Sequence, residues 1–284
     1  MNSTAIFHAG QAKPTVIALH CSGASGQMWG RLGDALGERF SLIAPDLIGC
    51  GAAAPWNGAG NFCASDEAAL TVRMIDALDA PVHLVGHSYG GAVALRVARE
   101  RPSRIASLTL YEPSLLSVLS TMGRDGLDVL AEVRAVAREV IGAMSTGAYV
   151  AAARRFVNYW NGERSWDAMS PDTQMTVVRH LPKVCLEYRA VSRERVPLQA
   201  YRRFNFPVLL LQGEHSPPFT HLISRQLHRA MKFASLRVID GAGHMGPLTH
   251  ADTVITAMVA RIEHVESMIA VDEECLPIAK RLAA

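Results

Sequence analysis

The sequence predicts an α/β fold, a mostly parallel central sheet with helices on both faces, interrupted by one all-helical insertion. Three observations carry this reading. Short apolar, β-rich runs recur with helical patterns between them; several of these runs are continuous rather than alternating; and the stretch from Pro113 to Phe206 holds helical periodicity without a convincing strand. Continuous apolar runs are what strands buried on both faces of a parallel sheet need. Alternation of strand and helix is the pattern of a layered α/β domain. The 284 residues suit two domains or one large domain with an insertion, at roughly 150 residues per domain.

Taken in order, the runs predict strands at 15–19, 42–44, 82–85, 105–110, 208–211 and 236–239. A helix is predicted over 65–78, with Asp66 and Glu67 at its start and Leu70, Met74, Ile75 and Leu78 on one face. A second spans 92–101 and is stopped by Pro102, and a third is read from Val254, Ile255, Met258, Val259, Ile262 and Val265 at helical spacing. Inside the insertion, Leu127, Leu130, Arg134, Ala137, Ile141 and Met144 describe one amphipathic face. Ser170 is a good N-cap, with Pro171 at the first helical position ahead of Met175, Val178 and Leu181. The expected organisation is a core of residues 1–113 and 202–284 with a helical lid, 114–201, over the C-terminal edge of the sheet.

Composition narrows the function classes. Hydrophobic residues at 49% and charged residues at 19% describe a chain able to bury a core, which excludes disordered and collagen-like classes. A net charge of +2, dispersed along the chain, gives no basic stripe, so no nucleic-acid partner is expected. Five scattered cysteines without a C-x-x-C pair argue against a disulfide framework or a zinc site, and point to a reducing compartment. Met1 to Pro14 lacks the basic start and apolar segment of a secretory signal, and no run approaches the roughly 18 apolar residues of a membrane span. No membrane partner and a cytoplasmic location are therefore expected.

The strongest chemical signal is Gly86-His87-Ser88-Tyr89-Gly90, a G-x-S-x-G motif after an apolar strand and before a helix rich in small residues. A serine on such a tight strand-to-helix turn is held in strained backbone geometry with its hydroxyl exposed at the sheet edge and a helix dipole behind it. Upstream stand Leu19-His20-Cys21-Ser22 with Trp29 further on, and Pro45-Asp46-Leu47-Ile48-Gly49-Cys50-Gly51. Downstream, Gly241-Ala242-Gly243-His244 follows the last apolar strand and precedes a helix. Together these segments resemble the α/β-hydrolase superfamily: an H-G-x segment, a P-D-x-x-G-x-G turn, the nucleophile turn and the histidine loop, in that order. The resemblance covers nearly the whole chain apart from the insertion.

That resemblance implies Ser88 as nucleophile and His244 as general base. It also implies the backbone N–H groups of Ser22 and Tyr89 as the oxyanion hole. Cys21 stands where glycine is usual. The triad acid departs from the pattern: where relatives read G-x-x-D, this chain reads Gly213-Glu214-His215-Ser216. A serine hydroxyl orients an imidazole without stabilising imidazolium by charge. Some relatives carry the acid at the end of the strand after the nucleophile helix, where Leu110-Tyr111-Glu112-Pro113 makes Glu112 the candidate. Glu214 swinging in and a Ser88–His244 dyad are the alternatives. His87 is read as structural. Tyr149, Phe156, Tyr159, Trp160 and Trp166 are read as the core of the insertion or, in part, as the wall of an apolar substrate pocket.

The implied activity is hydrolysis of a small or medium carboxylic ester, a small-molecule substrate, through an acyl-enzyme. Carbon–carbon bond hydrolysis or perhydrolysis by the same Ser/His machinery is the alternative within enzymes. Alkyl transfer from halides and epoxide opening are disfavoured, since those relatives carry aspartate in place of Ser88. A non-catalytic ligand-binding protein of the same fold is the rival from another class, motivated by Ser216. No cofactor and no metal are expected: Gly49-Cys50-Gly51 lacks the rest of a dinucleotide fingerprint.

Overall fold

The computed structural model describes residues 13–58 and 61–282, with side chains through Val271. Residues 1–12, and with them most of the N-terminal reading above, lie outside the described residues, as does the side chain of Cys275.

Six strands form one sheet: β1 Thr15–Leu19, β2 Ser41–Ile43, β3 Val82–His87, β4 Ile105–Tyr111, β5 Val208–Gly213 and β6 Ala234–Ile239. Their spatial order is β2-β1-β3-β4-β5-β6 and every neighbouring pair is parallel. Each predicted strand is present; β3, β4, β5 and β6 extend one or two residues beyond the predicted run, and β2 lies one residue earlier than predicted. The helices are α1 Gly30–Leu36, α2 Ala64–Asp76, α3 Tyr89–Glu100, α4 Gly123–Ser145, α5 Tyr149–Asn161, α6 Pro171–Arg193, α7 Pro218–Ala230, the short α8 Gly246–Thr249 and α9 Ala251–Leu282.

Because successive strand residues point to opposite faces, β1 feeds two cores. Ile17 and Leu19 join Leu84, Leu108 and Leu210 beneath α2, α3 and α7. Val16 and Ala18 join Val85, Leu209 and Leu211 against Leu32 and Leu36 of α1 and Val254, Met258 and Ile262 of α9. All of these except Leu209 are at most 2% exposed, and each buried aliphatic side chain contributes about 1.5–3 kcal/mol from area burial alone. The doubly covered sheet is the reason the strand runs are continuous in hydrophobicity.

Between β4 and β5 the described chain is helical throughout, α4 to α6 flanked by 3₁₀ turns. Ser170 caps α6 by accepting from the backbone N–H of Thr173 at 3.3 Å. The buried face of α4 is Leu130, Val133, Val136 and Val140, while Leu127 is 50% exposed. The face is thus rotated by about one position from the predicted one, since the three β-branched valines pack against α5, α6 and the cavity described below. Among the described residues, no helix is long and apolar enough to cross a membrane.

Candidate active site

Ser88 follows β3 and is the N-cap residue of α3 with φ 53° and ψ −115°, a positive-φ conformation costly for a side chain with a Cβ. The turn is over-determined. Its N–H bonds the carbonyl of Tyr111 at 2.9 Å, and its carbonyl accepts from Ser114 and Ala92 at 3.0 and 3.1 Å. Gly90 must lack a side chain, because a Cβ there would lie 2.4 Å from the carbonyl oxygens of Leu19 and His20. The start of α3 therefore presses directly on the end of β1, bringing Tyr89 and Ser22 to the wall of one cavity with Ser88.

His244 follows β6 and is 4% exposed. Its Nε2 lies 2.9 Å from Ser88 Oγ, and its Nδ1 lies 2.6 Å from Glu112 Oε2. A carboxylate can only accept, so Nδ1 carries the proton and Nε2 is free to accept from the serine hydroxyl. Ser88 has one proton to give, so at 3.2 Å Ser114 Oγ donates to Ser88 Oγ. Glu112 is 1% exposed and sits at φ 45°; its second oxygen, Oε1, accepts the N–H of Gly213 at 2.7 Å. Both carboxylate oxygens are thus fixed.

The predicted residues Ser88, His244 and Glu112 meet in one hydrogen-bonded chain, and Ser22 and Tyr89 adjoin it. Ser216 does not join: it is 6% exposed and its hydroxyl has no hydrogen-bond partner among the described residues. Glu214 faces away, accepting the N–H of Gly241 at 2.8 Å. His87 donates from Nε2 to the carbonyl of His244 at 2.8 Å, and burial drives its pKa well below that of a free imidazole, so it is a neutral support for the histidine loop. Tyr111 steadies the same loop through a 2.7 Å bond to the carbonyl of Gly243.

His20 was legible as a motif residue, and the structure gives its task. Its Nε2 accepts the N–H of Leu47 at 2.9 Å and its Nδ1 donates to the carbonyl of Cys21 at 2.8 Å, tying the Ser22 turn to the Asp46 turn. Burial lowers its pKa to about 4, which keeps Nε2 unprotonated as that acceptor role demands. Cys21 is buried beside it, its thiol pushed up to about 12 by burial, so it is an un-ionised wall of the cavity rather than a second nucleophile.

The cavity above Ser88 has a volume of about 110 Å³, of the order of apolar cavities that accept one aromatic ring. Phe156, Tyr159 and Trp160 of α5 line it, with Val133 and Val140 of α4. The Trp160 ring lies 4.4 Å from that of His244. The aromatic residues of the insertion therefore divide: Trp166 is buried among α4, α5 and α6, and Tyr149 is 50% exposed. Sequence reasoning missed a further group on the same wall, Glu187, and the residues behind it, Glu67 and Lys183. Among the described residues, no three His, Cys, Asp or Glu side chains gather as a metal site requires.

The order of motifs and the geometry match a known family along most of the chain: residues 16–257 fit the model of the alpha/beta hydrolase family. The chain belongs to this family. The lipase LipV of Mycobacterium tuberculosis is 39% identical over 103 residues, 35% of this chain and 37% of the lipase. A 1-acylglycerol-3-phosphate O-acyltransferase of Arabidopsis thaliana is 30% identical over 118 residues, 38% of this chain and 27% of its own length. The chain thus matches well under half the length of these curated relatives. Among solved structures, a thermophilic esterase from Thermogutta terrifontis has TM-score 0.67 at 20% identity, covering 89% of this chain and 91% of the esterase. The 2-hydroxy-6-oxo-6-phenylhexa-2,4-dienoate hydrolase of a Rhodococcus has TM-score 0.63 at 22% identity, covering 90% and 91%. At such identities the likeness is one of fold.

Proposed function

We propose that this family member is a serine hydrolase of small or medium carboxylic esters, with residues 114–201 as a lid. The observation that carries the reading is the chain Glu112–His244–Ser88 at the floor of an apolar cavity. Ser88 Oγ attacks the ester carbonyl while His244 Nε2 takes its proton, and Glu112 stabilises the imidazolium that forms. The backbone N–H groups of Ser22 and Tyr89 receive the oxyanion, and the positive end of the α3 dipole favours the same charge. His244 returns the proton to the leaving alcohol, and a water then hydrolyses the acyl-enzyme by the same route.

Two further observations support the reading. The Glu112 carboxylate supplies the charge whose absence at Ser216 motivated a non-catalytic alternative. Relatives named as a lipase and an esterase share the family or the fold. The four free cysteines of the described residues support a reducing, cytoplasmic setting. A fluorophosphonate probe is expected to label Ser88, and Ser88→Ala is expected to abolish turnover of p-nitrophenyl butyrate with a nearly unchanged melting temperature. Retention of most activity by that variant overturns the reading.

A further inference from the structure

Glu112 and Ser114 stand two residues apart after β4, and each bonds a different member of the Ser88–His244 pair. Glu112 Oε2 holds His244 Nδ1 at 2.6 Å, and Ser114 Oγ lies 3.2 Å from Ser88 Oγ. The short segment that joins them is tightly held. Ser114 donates its N–H to the Ser88 carbonyl at 3.0 Å, and Pro113 packs on α3 so closely that a Cβ on Gly91 would lie 3.0 Å from the Pro113 Cα. Main chain and side chain of Ser114 therefore both engage Ser88.

Other polar groups of the cavity wall are committed elsewhere. Tyr89 Oη donates to Glu67 at 3.0 Å, and Asn161 donates to the carbonyl of Val157 at 3.0 Å. The Ser22 hydroxyl serves Glu187, as does Lys183 Nζ at 2.9 Å, with Glu67 2.6 Å from the same ammonium. The Ser114 hydroxyl lines the cavity, and its hydrogen-bond partner among the described residues is the nucleophile itself.

Four directions surround Ser88 Oγ. One is its bond to Cβ, one is its proton, given to His244 Nε2 at 2.9 Å, and two are lone pairs. The Ser114 proton takes one lone pair, which leaves one for a carbonyl carbon in the cavity onto which Ser88 opens. With His244 alone the hydroxyl could still turn about the line to Nε2; two anchored directions fix the third. Building on the serine-hydrolase reading, we propose that Ser114 is a positioning residue for the nucleophile, its hydroxyl holding Ser88 Oγ so that the proton faces His244 and the free lone pair faces the ester carbonyl. In the attack the Oγ proton passes to Nε2, that lone pair forms the bond to carbon, and the carbonyl electron pair moves to the oxygen held by the Ser22 and Tyr89 amides. Throughout, the Ser114 O–H meets the negative charge that gathers on Oγ.

The test reads attack separately from binding. In Ser114→Ala, the rate of fluorophosphonate labelling and kcat/KM for p-nitrophenyl butyrate are both expected to fall by about three- to tenfold, the range of one neutral hydrogen bond, with a nearly unchanged melting temperature. Ser114→Thr, which keeps the hydroxyl, is expected to recover most of both rates. In the Ser88→Ala background there is no Oγ to place, so adding Ser114→Ala is expected to leave calorimetric binding of the same ester within about twofold. A labelling rate in Ser114→Ala less than about twofold below that of the natural protein, a loss that Ser114→Thr does not repair, or a matching loss of binding in the Ser88→Ala background overturns the proposal. No labelling of the natural protein refutes the serine mechanism itself, whereas labelling that is indifferent to Ser114 refutes the role of Ser114 alone.

Discussion

Two strand ends lie side by side in the sheet, Tyr111-Glu112 after β4 and Gly213-Glu214-His215-Ser216 after β5, and each offers a glutamate near the histidine loop. They are used differently. Glu112 turns through φ 45° toward β5, where its carboxylate is buried between the N–H of Gly213 and Nδ1 of His244. The Glu214 side chain is 52% exposed and bonds the N–H of Gly241 at the base of the same loop. What an imidazole needs is a carboxylate oxygen within hydrogen-bond reach of Nδ1, and neighbouring parallel strands bring two chain positions within reach of that point. The acid is therefore free to move from one strand end to the next while the sheet stays the same.

The comparison breaks most sharply at Glu112. Glu112→Gln keeps shape but loses charge, and kcat for p-nitrophenyl butyrate is expected to fall by at least about 10²-fold with little change in melting temperature. Near-normal turnover would mean that the β4 end is only structural. Placing the acid on the other strand sharpens the point: Ser216→Asp in the Glu112→Gln background is expected to restore about tenfold or more. Alone, Ser216→Asp is expected to change kcat by less than about threefold or to lower it, because two like charges would compete for one imidazole.

Gly213 tests the contact between the two ends. A Cβ there would lie 2.5 Å from the carbonyl oxygen of Ala242 and 2.7 Å from Ser216 Oγ, so Gly213→Ala is expected to cost about 1–3 kcal/mol in thermal unfolding and to loosen Glu112. Glu214→Gln is the smallest effect, within about twofold in kcat, since that side chain is half exposed and points away from His244.

Acid inactivation must be separated from unfolding in any such series. His20 has a pKa near 4 in the fold against 6.5 when free, so the unfolded chain binds the extra proton. Its contribution is complete above pH 6.5 and is lost as pH falls toward 4, by up to about 3 kcal/mol. Melting curves between those values are expected to show the decline, and His20→Gln to flatten it.

Much of this was legible in the residues. The four inner strands announced themselves because a sheet covered on both faces demands apolar runs, whereas the edge strand β6 is half exposed and interrupted by Arg237. Ser88, His20, Asp46 and His244 lie in short motifs whose turns fix local backbone. α1, α5 and α7 were not identified, although α5 and α7 carry apolar residues at helical spacing: Ala153 and Val157 in the one, and Phe219, Ile223 and Leu227 in the other, are buried. The buried face of α4 was misread by about one position, because Leu127 and Val133 differ in what the fold places over them and not in hydrophobicity.

What the sequence by itself determined is the order of elements and the local turns, since periodicity, caps and glycines act over a few residues. The sequence named Glu112 as the candidate partner of His244 with Glu214 as an alternative, and the tertiary structure decided between them: strand pairing between β4 and β5 with the positive φ of Glu112 brings its carboxylate to Nδ1. The Glu67–Lys183–Glu187 cluster was decided there as well. Its members are ordinary charged residues of two helices far apart in the chain, and only the packing of α6 against α2 removes them from water.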